Sequence, residues 1–275
     1  MTLVWLSSVL LFLLLFLNTL PIRESKLLSR LKTSWPEILA AQALLFWFFP
    51  LVITALATLL VADRDFVLGL SVSALAPCAL VNPFFAHERG GDQALALLNV
   101  LISTVLCPLV TVPLLHVFKL NAVFFKTETL FVYLLVLTVG PLILSASVGQ
   151  VWSGLRARIA THLPLCNSLI LAGLMFILVG TSLNHIPLRF LLSRDLLVLF
   201  FFYVAMDFGV FIVTRWSAWR FVSHESAETL ALSVATRNFA VSASLMLFFY
   251  PKAALPSAVG LIVHCLFFQW LLKKK

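Results

Sequence analysis

Residues 231–249, ALSVATRNFAVSASLMLFF, decide the fold of this chain. The segment is apolar and long enough to cross a bilayer, yet Arg237 and Asn238 lie near its middle. A permanent charge at the centre of a membrane is tolerated only beside a cavity or a partner. The segment is therefore expected to line an internal polar site rather than to face lipid along its whole length.

The composition of the whole chain is that of a polytopic, all-α membrane protein. Of its 275 residues, 62% are hydrophobic and only 11% are charged, too few to cover the surface of a soluble domain. Windows of about 20 apolar residues predict about nine spans, and residues 1–275 are expected to form one transmembrane domain. The predicted spans are 2–20, 37–61, 66–86, 93–117, 128–151, 164–183, 194–214, 226–249 and 254–272.

Basic residues predict the orientation of these spans. With nine spans, the connectors on the C-terminal side carry twelve Lys and Arg residues and those on the opposite side carry six. Because basic residues near helix ends are retained in the cytoplasm, we expect the C-terminus inside and the N-terminus outside a plasma or inner membrane. This orientation accounts for the net charge of +8, and no basic stripe with aromatic stacking positions indicates nucleic-acid binding.

A second span also carries signals for an interruption. In APCALVNPFFAHERGGD, residues 76–92, Pro77 and Pro83 each remove a backbone donor and disfavour helix in the preceding residue. This span and the one that contains Arg237 are five spans apart, so they run in opposite directions. The arrangement predicts two inverted repeats, about 1–120 and about 163–275, with the fifth span as their connector.

Two blocks of the sequence resemble the bile acid:sodium symporter family. Residues 76–115 are similar to the family's fourth and fifth helices, and residues 228–266 are similar to its last two helices. The residues that carry the resemblance are Asn82, Arg89, Gly90, Ser103, Thr104 and Pro108 in the first block, and Asn238, Pro251, Pro256 and His264 in the second. The resemblance implies a nine-span member in which two broken helices cross at the bilayer centre and substrate moves by alternating access.

The positions that hold sodium in sodium-coupled members of that family depart from its pattern here. The residues at or near them are Leu45, Val81, Asn82, Ala96, either Asn99 or Val100, Ser233 and Arg237. Ser233 replaces a glutamate and Arg237 replaces a glutamine. Sodium gains from a carboxylate and from several oxygen ligands, so this set disfavours sodium coupling. No other cofactor and no metal site are expected.

Arg237 has several possible roles in this scheme. It either takes the electrostatic place of a bound sodium ion at the crossing or attracts an anionic substrate, since guanidinium suits carboxylate, sulfonate and phosphate groups. The alternative is an internal ion pair with Asp207. The ion pair and a substrate-binding role of Arg237 are compatible if the substrate displaces the aspartate. Asp207 is also a candidate for proton coupling.

The remaining candidates are polar residues at or near the two breaks. Asn82 and Asn238 are expected to satisfy freed backbone groups or to contact substrate, and the hydroxyls of Ser233 and Thr236 to bond to the preceding helical turn or to the ligand. His264 either lines the cavity or packs in the core. The full set of candidate substrate- or ion-binding residues is Asn82, Asn99, Asp207, Ser233, Thr236, Arg237, Asn238 and His264.

Together these features predict a secondary transporter for an organic anion, either bile-acid-like or a small carboxylate, in contact with the lipid bilayer. A transport-incompetent sensor or passive pathway of the same fold is the alternative. An enzyme is not expected, because the chain has no HExxH, no GxSxG and no pair of intramembrane carboxylates. The charged residues between 87 and 92 are interpreted as a solvated connector.

Overall fold

The computed structural model describes residues 2–20, 24–117, 127–151 and 194–273, together with scattered residues between 162 and 181. The secondary structure of these parts is helical apart from turns and two short extended segments. The helices are α1 (Thr2–Thr19), α2 (Glu24–Thr33), α3 (Trp35–Leu60), α4 (Arg64–Ala74), α5 (Asn82–Glu88), α6 (Gln93–Val117), α7 (Thr127–Val151), α8 (Arg194–Ala218), α9 (His224–Ala235), α10 (Phe239–Phe249) and α11 (Ala254–Lys273).

The long helices identify a multi-pass membrane protein. By length and composition, five helical stretches in the described part of the chain can cross a membrane: Trp35–Leu60, Gln93–Val117, Glu128–Val148, Arg194–Ala218 and Pro251–Lys273. Their ends agree with the predicted spans to within a few residues. Nine of the twenty residues of the sixth predicted span, 164–183, lie outside the described residues, and the total of nine spans stays a prediction.

Two spans are interrupted, as the sequence predicts. The break between α4 and α5 covers residues 75–81 and contains Pro77, while the break between α9 and α10 covers residues 236–238. The two extended segments lie antiparallel, with Cys78 opposite Arg237. The backbone N–H of Asn238 donates to the carbonyl of Pro77 at 2.7 Å, and that of Ala79 donates to Thr236 at 3.2 Å. Each broken helix thus supplies partners for backbone groups that the other leaves free.

Helices α3 and α8 each contain one π-helical turn, at Leu44–Phe48 and at Ala205–Gly209. The sequence interval from Phe48 to the first break equals the interval from Gly209 to the second break. A π-helical turn adds a residue to the helix and rotates the side chains on its two sides, and such turns are frequent at functional sites. The two halves of the chain therefore share an order of elements and a spacing.

The far end of each broken helix is attached to the start of the other. After α5, the backbone N–H of Asp92 donates to Thr229 on α9 at 2.7 Å, and a Cβ at Gly91 would lie 2.8 Å from that hydroxyl. After α10, the Tyr250 hydroxyl donates to Asp65 at the start of α4, at 3.0 Å. The connector after α5 is therefore held against α9. Its interpretation as a solvated loop fits the exposed His87 but not Arg89 and Asp92, which form ion pairs.

Buried charges strengthen the first of these attachments. Arg89 forms an ion pair with Glu228 at 2.8 Å, and Arg215 on α8 pairs with the other oxygen of the same carboxylate. Glu228 is 1% exposed, so its charge needs both partners. The resemblance drew attention to Arg89, but sequence spacing gave no sign of its partner.

Candidate substrate and ion site at the helix crossing

Arg237 lies at the centre of the crossing and is 2% exposed. Its Nε and Nη1 atoms are buried and have no hydrogen-bond partner. Among the residues that the structure describes, no carboxylate is within ion-pairing distance of its guanidinium group. Burying a charge without a partner costs roughly several kcal/mol. An anion bound to the two nitrogens without partners would offset this cost, so the guanidinium is available to bind one.

Asp207 pairs with His264 instead of Arg237. Nδ1 of His264 on α11 lies 3.1 Å from Oδ2 of Asp207, which is fully buried in the π-helical turn of α8. Asp207 acts on Arg237 electrostatically, but only beyond ion-pair distance. The other oxygen of Asp207 and Nε2 of His264 have no partner. The direct ion pair between Asp207 and Arg237, one of the predicted alternatives, is not formed.

Asn82 and Thr236 join the two breaks through their side chains. The Thr236 hydroxyl approaches Oδ1 of Asn82 at 2.6 Å and the carbonyl of Leu232 at 2.7 Å. The amide of Asn82 donates to Sγ of Cys78 at 2.8 Å and, at 3.4 Å, to the carbonyl of Leu232. Both residues are fully buried. Their side chains bond each other and the carbonyl of Leu232, which also accepts from the backbone N–H of Thr236, so a role of Asn82 in satisfying freed backbone groups stays a prediction.

Asn99 and Ser233 form a second link between the halves of the chain. The amide of Asn99 on α6 donates to the hydroxyl of Ser233 on α9 at 3.2 Å. Gln42 on α3 donates to Oδ1 of Asn99 at 3.3 Å. Val100 is buried on the same helix and brings no polar group to this link, so Asn99 is the residue of the two that faces the crossing.

Gln42 was not among the predicted site residues. The resemblance placed Leu45 near the family's glutamine position, whereas the structure puts Gln42, about one helical turn earlier, against Asn99. Gln42 lies two residues before the π-helical turn that begins at Leu44, and the residues named from the resemblance did not include it. Leu45 is 1% exposed and belongs to the apolar core.

Asn238 caps the second half of its broken helix. Its Oδ1 accepts a hydrogen bond from the backbone N–H of Val241 at 3.4 Å, at the start of α10. Its Nδ2 is buried and has no partner. Asn238 therefore satisfies a freed backbone group, as predicted, and still has an unused donor in the residue next to Arg237.

The eight predicted site residues thus fall into two groups. The crossing network consists of Asn82, Asn99, Ser233 and Thr236, whose hydrogen bonds connect the two broken helices with α6. The unpaired group consists of Asp207, Arg237, Asn238 and His264, each of which has at least one buried polar atom without a partner. A ligand would find free binding capacity in the unpaired group.

A hydroxyl cluster beside the crossing has no counterpart in the sequence prediction. Tyr203 on α8 donates to Ser73 on α4 at 2.9 Å, and Ser73 and Ser242 each lie within hydrogen-bond distance of Ser257. These hydroxyls satisfy one another in a fully buried place. Serine is small and common in membrane helices, so the sequence alone does not distinguish them from ordinary packing residues.

A cavity of about 680 Å³ lies away from the crossing, between α3, α8 and α9. Its walls are mainly apolar, and Glu37 is the acidic residue among them. None of the eight predicted site residues lines it. The cavity therefore does not contribute to the site built around Arg237.

Comparison with known proteins agrees with the resemblance seen in the sequence. No curated protein matches the chain. The model of the SBF-like CPA transporter family matches residues 2–271, nearly the whole length of the chain. This match covers both broken helices and every residue of the crossing network and the unpaired group. The chain therefore belongs to the SBF-like CPA transporter family.

Proposed function

We propose that this protein is a secondary transporter that carries an organic anion by alternating access, with Arg237 as its anion contact and without sodium coupling. The observation that carries the proposal is the buried guanidinium of Arg237, two of whose nitrogens have no partner. A carboxylate or sulfonate would accept from both nitrogens and neutralise the charge. The family is one of transporters, which supports a carrier over an enzyme.

The surroundings of Arg237 favour an anion in two further ways. Asn238 caps α10 and Arg237 is the residue before it, so an anion bound to Arg237 would lie near the positive end of that helix dipole. The unused Nδ2 donor of Asn238 lies one residue further along the chain. These donors and the guanidinium would together contact a carboxylate from more than one side.

The same place is unfavourable for a bound sodium ion. Asn82, Asn99, Ser233 and Thr236 already engage one another in hydrogen bonds, so their oxygens do not form an open ligand set. A sodium ion about 4 Å from Arg237 would be repelled by roughly 4 kcal/mol at an effective dielectric constant of about 20. This repulsion supports a carrier that works without sodium.

Several features support alternating access between two inverted repeats. Each half of the chain has a helix with one π-helical turn, followed after the same interval by a broken helix. Each broken helix is also attached at its far end to the start of the other. An arrangement that occurs twice in opposite directions lets one site face either side of the membrane in turn.

Thermal stability of the purified protein tests the anion contact. Wild type and Arg237→Gln would be heated with potassium pyruvate, benzoate or taurocholate, and again with the sodium salts. Arg64→Gln is the matched control, because Arg64 is exposed at the start of α4. A ligand at roughly a hundredfold excess over its dissociation constant stabilises the folded state by about 2.7 kcal/mol.

The expected result is stabilisation of wild type and Arg64→Gln by at least one anion, equal in both salts and lost in Arg237→Gln. Stabilisation that requires sodium, or that persists in Arg237→Gln, contradicts the proposal. If no anion stabilises the protein and none exchanges across reconstituted vesicles, the result contradicts the proposal for these anions and favours the transport-incompetent alternative.

A further inference from the structure

We infer that Asp207 and His264 form a proton-binding site that takes up one proton when a monovalent anion binds at Arg237. This inference rests on the proposed anion contact and adds to it the coupling ion and the charge of the substrate. The protein would then carry an organic monoanion together with a proton.

The geometry of the pair provides a defined place for the proton. Nδ1 of His264 faces Oδ2 of Asp207 at 3.1 Å, so the imidazole proton on that side is held toward the carboxylate. Nε2 of the same ring is buried and has no partner. Nε2 is therefore the atom of the pair that can accept a proton. Binding a proton there changes the net charge of the pair from −1 to 0.

The position of Asp207 keeps the pair away from bulk water. The carboxylate is fully buried, and His264 is 6% exposed. The rings of Phe239 and Phe268 lie against the imidazole, with centroids at 5.3 Å and 4.2 Å. In such surroundings the charge state of the pair depends strongly on the few other charges close to it.

Arg237 is the nearby charge that a bound substrate anion neutralises. Other titratable groups around Asp207 are Tyr203 on its own helix and Cys265 on α11, while the carboxylate of Glu228 on α9 is already paired with two arginines. The Tyr203 hydroxyl donates to Ser73 and not to Asp207. Arg237, although beyond ion-pair distance, interacts electrostatically with Asp207.

Charge balance then links the two sites. Without substrate, the cation of Arg237 offsets the anion of Asp207, and His264 is neutral. A bound monoanion neutralises Arg237 and leaves Asp207 without compensation, so a proton on His264 is favoured. The sum over Arg237, Asp207, His264 and substrate is zero in both states, as the interior of a membrane protein favours.

Calorimetric titration measures the proton directly. Pyruvate, benzoate and taurocholate, as potassium salts, would each be titrated into the purified protein in two buffers of different ionisation enthalpy. The difference in heat gives the number of protons bound per anion. We expect about one proton per bound anion for wild type and about zero per bound anion for His264→Gln and Asp207→Asn. His224→Gln, altered at an exposed position, is the control and is expected to match wild type.

The outcomes separate this inference from the proposed function. Anion binding by wild type without proton uptake overturns the proton site and leaves the anion contact standing. Proton uptake that persists in both His264→Gln and Asp207→Asn also overturns it. His264→Gln keeps a side chain of similar length with a donor, so it provides the test if Asp207→Asn does not fold.

If none of the three anions binds, an infrared titration of the protein without ligand decides the question. A carboxylate or imidazole band that changes with pH in wild type and is missing in His264→Gln supports the proton site. Identical titrations of wild type, His264→Gln and Asp207→Asn overturn it.

Discussion

The crossing network and the unpaired group lie side by side, yet their side chains are satisfied to very different degrees. In the network, Thr236 bonds Asn82 at 2.6 Å and Asn99 bonds Ser233 at 3.2 Å. In the unpaired group, Arg237 is equally buried and two of its nitrogens bond nothing. Satisfied buried polar groups stabilise a fold, while unsatisfied ones cost energy that a ligand can recover. The difference separates the scaffold of the site from its binding surface.

The largest effect is expected where the network is broken. Thr236→Val keeps the shape of the side chain but removes the hydroxyl that bonds Asn82 and Leu232. Leaving Oδ1 of Asn82 without this donor should lower the free energy of unfolding by about 2 to 3 kcal/mol. Thermal unfolding of the purified protein measures the loss, with Thr58→Val at an exposed position as control. Equal stability of the two variants would show that the network is not the scaffold.

In the absence of ligand, Arg237→Gln should change the free energy of unfolding in the opposite direction. Because the guanidinium is buried and two of its nitrogens lack partners, its removal should leave the protein equally stable or up to about 2 kcal/mol more stable. The same unfolding experiment applies, with Arg64→Gln for comparison. A clear loss of stability in Arg237→Gln would indicate that the arginine holds the crossing together in the electrostatic place of a sodium ion.

Restoring the carboxylate should create a sodium effect. The double variant Arg237→Gln with Ser233→Glu removes the fixed cation. It also places a glutamate where, by the resemblance, sodium-coupled members of the bile acid:sodium symporter family have one. Replacing potassium by sodium should then stabilise this variant by about 1 kcal/mol, at a concentration several times the dissociation constant. Neither single variant should respond as strongly. No sodium effect in the double variant would count against Arg237 as the residue that excludes sodium.

The smallest effect concerns the membrane potential. If one proton travels with each monoanion, uptake into reconstituted vesicles should change less than about twofold when a potential is imposed, since no net charge moves. His264→Gln would move the anion alone, which costs about 2.3 kcal/mol per 100 mV, and its uptake should become sensitive to the potential. Equal sensitivity of wild type and His264→Gln would exclude a coupled proton.

The sequence predicted the breaks well because their signals are local. Pro77 removes a backbone donor within the first break, and Arg237 followed by Asn238 is out of place in a lipid-facing helix. Proline alone does not identify a break, because Pro108 and Pro113 lie inside the continuous helix α6. The match of the family model to residues 2–271 confirms the resemblance from which the crossing was expected.

The sequence did not predict which partner each polar side chain takes. Asp207 and His264 lie on helices α8 and α11, and their contact at 3.1 Å depends on how those helices pack. The contact between Gln42 on α3 and Asn99 on α6 depends on helix packing in the same way and was missed as well. Glu228 was overlooked because its two arginine partners come from separate elements.

Counterflow across vesicles in sodium-free buffer tests the central claim most directly. Vesicles that contain the protein would be loaded with unlabelled benzoate, pyruvate or taurocholate, and entry of the same labelled anion would be followed with potassium on both sides. We predict exchange by wild type and Arg64→Gln, and a loss of about a hundredfold in Arg237→Gln, equivalent to about 3 kcal/mol of lost charge-assisted binding. Exchange by Arg237→Gln at the wild-type rate, or exchange by wild type only when sodium is added, would contradict the account.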